Sequence, residues 1–145
     1  MDNARPDAAG LSAIAAVVVD DDSFALRFME KALGRIGVGR VHSCLSAPLA
    51  LRTISDLGDA PVLLVCDLNM PDMDGIEFLR AIAQRRFHGS VLILSGADET
   101  VREAATKLTK AYGLDLLGTF AKPIAFDRLA DAVARMAKSL PQARP

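Results

Sequence analysis

Charged and hydroxyl side chains in this chain collect immediately behind short apolar runs. Asp20-Asp21-Asp22 follows Val17-Val18-Val19. Asp67 follows Pro61 to Cys66 and opens the run Asp67-Leu68-Asn69-Met70-Pro71-Asp72-Met73-Asp74-Gly75. Ser95-Gly96 follows Leu92-Ile93-Leu94, and Lys122-Pro123 follows Leu116 to Ala121. Carboxylates brought together at neighbouring strand ends repel, at about 4 kcal/mol per pair for a separation near 4 Å and an effective dielectric near 20. Such a cluster persists only with a cation or with retained protons. Oxygen donors without His or Cys favour a hard ion, and Mg²⁺ is the usual choice where phosphate is handled. Lys122 adds a positive charge on a flexible stem and Ser95 a hydroxyl donor. A carboxylate, a hard cation, a lysine and a hydroxyl make a site for a phosphoryl group of charge about −1.5 to −2.

Each residue alone has an ordinary reading. Asp22, Asp72 and Asp98 read as solvated loop residues, and Asp74 before Gly75 as a helix N-cap. Ser95 could be any loop serine and Lys122 any surface lysine. Their joint occurrence behind successive apolar runs carries the signal, because an open parallel sheet does its chemistry at the carboxyl ends of its strands.

The elements that must hold these residues are legible as alternating segments. Strand-sized runs lie at Ile14–Val19, Arg40–Cys44, Pro61–Cys66, Ser90–Leu94 and Leu116–Ala121. Helical spacing fills the gaps. Phe24, Phe28, Ala32 and Ile36 recur every four residues, with Ala25, Met29 and Leu33 beside them. Val101, Ala104, Ala105, Leu108 and Tyr112 make a second stripe, and Phe126, Leu129, Ala130, Val133, Ala137 and Leu140 a third. Gly34 and Gly37 close the first helix, Gly58 the second and Gly113 the fourth. Ser23, Ser46 and Asp74 stand where N-caps are expected. Strands apolar on both faces imply a parallel sheet covered on both sides. Five strands alternating with five helices predict an α/β, doubly wound (βα)5 domain over 14–140, with loose tails at 1–13 and 141–145. The pattern is weakest over 40–58.

Composition bounds the function. The 145 residues suit one domain with its own core. Hydrophobic residues make up 51% and charged residues 24%, a globular balance. The net charge of −1 gives no basic excess for nucleic acid or anionic membrane. No apolar run approaches the roughly 20 residues of a membrane span. The polar start, with Asp2, Arg5 and Asp7, lacks a secretory pattern, so a cytoplasmic location is the default. Cys44 and Cys66 sit in apolar segments without metal-type spacing and read as buried, reduced thiols.

At these motifs the sequence resembles the CheY-like receiver domains of two-component response regulators, over roughly residues 14–140. The run Asp67 to Gly75 is the most specific, joined by Asp20-Asp21, Ser95 and Lys122-Pro123. The resemblance implies a flavodoxin-like five-stranded sheet of order 2-1-3-4-5. It implies that Asp67 accepts a phosphoryl group from a histidine kinase or histidine phosphotransfer protein. Asp21 and Asp67 would bind Mg²⁺ directly with the backbone carbonyl of Asn69, and Asp20 through water. Lys122 would pair with Asp67 and then with the phosphoryl oxygens, and Ser95 would move to bond them. Such a domain catalyses only its own phosphotransfer and dephosphorylation. An output domain or downstream protein would read the fourth-helix and fifth-strand face, with no nucleic acid or membrane engaged.

The chain departs from the family pattern in three places. Thr119 stands three residues before Lys122, where an aromatic ring is frequent, and Phe120 follows it; alternation sends the two to opposite faces. The interval from Ser95 to Lys122 is long. Gly96-Ala97 puts no acidic or amide side chain after Ser95. The stretch Leu114-Asp115-Leu116-Leu117-Gly118-Thr119 is similar to receivers joined to cyclic-di-GMP phosphodiesterase domains.

Two other classes compete. A haloacid-dehalogenase-like, Mg²⁺-dependent phosphohydrolase also forms an aspartyl phosphate, and Asp20 and Asp22 have its Asp-x-Asp spacing. It leaves Asp67 to Gly75 unexplained, and the chain has little room for a substrate cap. A flavodoxin-like FMN site needs a phosphate-cradling first loop, which Asp20-Asp21-Asp22 would repel.

Overall fold

The computed structural model describes residues 8–70, 73–85, 87–96 and 98–140. Its elements in order are α1 (Ala8–Ala13), β1 (Ala15–Val19), α2 (Ser23–Ile36), β2 (Arg40–Cys44), α3 (Ala47–Leu57), β3 (Val62–Asp67), β4 (Asn69–Met70), β5 (Met73–Asp74), α4 (Gly75–Gln84), β6 (Gly89–Ser95), α5 (Glu99–Ala111), β7 (Asp115–Ala121) and α6 (Phe126–Ser139). Five strands form one parallel sheet of order β2-β1-β3-β6-β7. Counted within that sheet the order is 2-1-3-4-5. The numbering differs from expectation only because a two-stranded antiparallel ribbon, β4-β5, follows β3.

Alternation along the strands divides the core in two. Ala16, Val18, Leu63, Val65, Leu92 and Leu94 pack under α2 and α6. Val17, Val19, Leu64, Cys66, Val91 and Ile93 pack under α3, α4 and α5. β1 and β3 are buried on both faces, as continuous apolar runs require.

Caps explain where the helices begin and end. The Asp22 carboxylate accepts from the Phe24 N–H and caps α2, so Ser23 is the first helical residue and not the cap expected. Ser46 accepts from Leu49 N–H and Asp74 from Ile76 N–H, capping α3 and α4 as expected. Asp98, read from sequence as a solvated loop residue, caps α5 by accepting from Val101 N–H. Gly37, with φ of 112°, closes α2 in the left-handed region that favours glycine; Gly34 lies within that helix.

Three further expectations change. The loose N-terminal segment of 1–13 gives way at Ala8, where α1 begins. Leu11 of this helix is buried, and Gly39 lets the helix approach: a Cβ there would lie 1.9 Å from the Ser12 carbonyl oxygen. The tail at 141–145 and the residue Asp72 lie outside the described residues. α2 buries Leu26, Met29, Ala32 and Leu33, while Phe24 and Phe28 are 80% and 57% exposed. Apolar residues cover more than one face of this helix, so spacing alone could not choose between them. Phe126 likewise faces outward, under the Arg35 guanidinium at 4.9 Å, and Ala132 and Met136 take its place in the core.

The stripe expected on the fourth helix, now α5, is rotated. Val101, Ala104 and Leu108 are exposed, and Ala105 and Thr109 are the buried residues. The observed inner face lies roughly 60° around the helix from the expected one, at 100° per residue. After α5, β7 carries a bulge: Val91 pairs with Leu116 but Leu92 with Gly118, leaving Leu117 extra. Arg135 donates to the Leu117 carbonyl at 3.0 Å.

Candidate functional site

The strand ends meet as the sequence predicts. Val19 of β1 is in register with Cys66 of β3, so Asp20 and Asp67 are the next residues on adjacent strands. Asp67 pairs with Leu94, and Ser95 with Ala121, so Ser95 and Lys122 follow on the next two strands. With the side-chain period of two, Asp20, Asp67 and Lys122 share the face of Val18, Val65 and Phe120, toward α2 and α6. The Lys122–Pro123 peptide is cis.

Lys122 Nζ donates to Asp20 Oδ2 at 3.0 Å and to Asp67 Oδ2 at 3.1 Å. Both carboxylates are 4% exposed. Asp67 Oδ1 accepts from the Asn69 N–H at 3.0 Å, and Asp20 Oδ1 from the Asp22 N–H at 2.9 Å. Asp21 is exposed at the rim. One oxygen from each of Asp20, Asp21 and Asp67 lies within 4.8 Å of the others. Three carboxylates and one ammonium leave a local excess of negative charge, and the donors are all hard oxygens, which suits Mg²⁺ and not a softer metal.

Burial holds the Asp67 carboxyl above the ordinary carboxylate range. The Asn69 N–H and Lys122 oppose that shift, and the charge on Asp20 adds to it. Burial works to lower Lys122, but its hydrogen bonds to Asp20 and Asp67 outweigh it, so the ammonium is held more firmly than usual. The equal partnership of Lys122 with Asp20 is a feature that sequence reasoning missed. Asp22 is engaged as a helix cap, which takes its carboxylate out of the cluster and leaves the Asp20-x-Asp22 spacing without a catalytic pair.

Ser95 is fully buried at the end of β6, and its carbonyl accepts from the Lys122 N–H at 3.0 Å. Asn69 is exposed at the start of the β4-β5 ribbon, in register with Asp74. Beside the carboxylates, Phe24, Phe28, Pro123 and Ile124 line a cleft of about 520 Å³ that reaches Asp67. The spacing of Phe24 and Phe28 along α2 reads as core, yet both rings are exposed beside this cleft.

The profile of the response regulator receiver domain matches residues 16–134. This chain belongs to that family. Its receiver is 27% identical over 119 residues to the cyclic di-GMP phosphodiesterase RocR of Pseudomonas aeruginosa, covering 82% of this chain and 30% of that protein. It is 30% identical to the response regulator protein TmoT of Ectopseudomonas mendocina, over 86% of this chain and 53% of TmoT. A response regulator from Colwellia psychrerythraea has the same fold, with a TM-score of 0.71 and 27% identity over 87% of this chain and 98% of its own. The chain thus spans about a third to a half of these two curated relatives. The resemblance and the (βα)5 class read from the sequence agree with these findings, and nothing supports the phosphohydrolase alternative. No helix among the described residues of this receiver is long and apolar enough to cross a membrane.

Proposed function

We propose that Asp67 is the phosphoacceptor of this receiver domain and that Asp20, Asp21, Asn69, Ser95 and Lys122 serve its phosphorylation. Receiver domains take phosphoryl groups from histidine kinases or phosphotransfer proteins and act on output domains. The observation that carries the assignment is the position of Asp67. It lies on the central strand with the acidic pair on one side, the Ser95 and Lys122 strands on the other, and Lys122 on its Oδ2.

In the transfer, an Asp67 oxygen forms a bond to phosphorus as the phosphorus–nitrogen bond of a phosphohistidine breaks. The electron pair of that bond leaves with the imidazole. Lys122 compensates charge on the phosphoryl oxygens, a role that its two carboxylate contacts pre-position. Asp21, Asp67 and the Asn69 carbonyl would hold Mg²⁺. Asp20 would take an indirect part, through water. When bound, Mg²⁺ offsets the charge that develops on the transferring group. The domain turns over no separate substrate in this reading, and a cytoplasmic setting goes with it.

The test is mass spectrometry after treatment with acetyl phosphate and Mg²⁺. Wild type gains one phosphoryl mass, chelation of Mg²⁺ prevents the gain, and Asp67→Asn abolishes it. Equal labelling of Asp67→Asn at another carboxylate would remove Asp67 from the role.

A further inference from the structure

Helix α1 is too short to hold itself. Its six residues, Ala8 to Ala13, make less than two turns and include Gly10. They carry no acidic residue in the first turn and no basic residue in the last to offset the helix dipole. Isolated helices below about 12–15 residues are marginal in water. The order of α1 therefore comes from what it rests on.

That seat is specific. Leu11 is buried in the core on the α2 and α6 side of the sheet, and its side chain lies over Gly37, 3.5 Å from where a Cβ would stand. The Leu11 carbonyl is one of those left open at a helix C-terminus. It accepts from the Ile14 N–H at 3.1 Å and from the Gly39 N–H, just before β2, at 3.3 Å. Gly39 is what permits this approach, because a Cβ there would run into the Ser12 carbonyl. On its other side α1 lies against α6. Met136 and Ala137 of α6, with Leu140 after it, belong to the same core cluster as Leu11.

The receiver match spans 16–134, so α1 precedes it and the last turn of α6 follows it. Both segments also lie away from the acidic site. α1 leads into the start of β1, whereas the site stands at its end, about 17 Å along a strand of five residues. We propose that α1 is a strap that folds only on its seat and holds the last turn of α6 with it. The two segments order and loosen as one unit, and the acidic site keeps its arrangement when they do. A molecule that takes hold of residues 8–13 then frees the end of α6 without phosphorylation. The device goes beyond the phosphoacceptor reading of Asp67 and stands without it.

Hydrogen exchange of the full chain reads the unit amide by amide. Gly39→Ala sets a Cβ against the Ser12 backbone and keeps α1 off its seat. Expected for it are Ala13 and Ile14 amides at unprotected rates and 136–140 amides faster than in wild type by about tenfold or more. The Asn69 and Lys122 amides at the site should stay within about twofold of wild type, and β1 and β3 amides should remain the slowest. Gly34→Ala is the control, because its Cβ meets open space on α2; it should match wild type in α1 and at 136–140. If Gly39→Ala does not fold, Leu11→Ala empties the seat from the helix side and should loosen the same two segments. Loosened α1 with 136–140 at wild-type rates overturns the unit, and so does an α1 that stays protected in folded Gly39→Ala. A uniform loss reaching β1, β3, Asn69 and Lys122 overturns it as well, because α1 would then be one part of the global fold.

Discussion

The buried carboxyl of Asp67 is held at some expense to the fold. Its carboxyl is held above the ordinary range chiefly by burial, so folding makes its proton harder to remove than in the unfolded chain. A folded-state pKa above the unfolded one contributes stability that is present below the unfolded value and is lost as pH rises through the folded value. At neutral pH the ionised Asp67 therefore weighs against folding, and its neighbour Asp20 adds repulsion. Asp67→Asn should melt higher than wild type in metal-free buffer, with Lys122 retaining Asp20 at 3.0 Å. The gain should be larger at pH 7 than at pH 4, where both proteins carry a neutral side chain more of the time. Added Mg²⁺ should narrow the difference by stabilising wild type more. Thermal denaturation at both pH values checks this, and a lower melting point for the variant at pH 7 would contradict the sign.

The helices differ in what attaches them. Leu33 of α2 is fully buried against the sheet, whereas Phe28, one turn and one residue earlier, faces the cleft beside the site. Leu33→Ala should cost about 2–5 kcal/mol, the transfer and cavity terms together. Phe28→Ser should change stability by no more than about 0.5 kcal/mol, as surface substitutions do. Urea unfolding of the two variants measures this. A large loss in Phe28→Ser would return that ring to the core, where its spacing along the helix first put it. A ring more than half exposed beside the cleft is also placed to meet another molecule approaching Asp67.

Across the whole molecule the sheet sets distances that no local motif can. Cys44 and Cys66 both pair with Val19, one on each side of β1. Two strand spacings separate them by about 9.5 Å, beyond the roughly 7 Å that a disulfide can bridge without backbone movement. Burial raises both thiols above their ordinary range, so little thiolate forms on either. Mild oxidation should leave the mass of the folded protein unchanged, with both thiols recovered on unfolding. An intramolecular disulfide in folded protein would require a different register at β1.

The sequence by itself determined the five strands of the parallel sheet and the four strand ends that carry acid, hydroxyl and lysine. Period and composition are local signals, and a β-branched run followed by Asp reads the same in any context. The Asp67 to Gly75 run and its partners were legible for the same reason, since the chemistry needs those residue types in chain order. Only the tertiary structure decided which face of α2 and α5 turns inward, because both helices carry apolar residues around more than one face and the choice falls to the sheet beneath. It also decided that Asp22 caps a helix while Asp20 pairs with Lys122. Those two carboxylates are near-equivalent in sequence, and what separates them is the direction each takes where β1 ends and α2 begins.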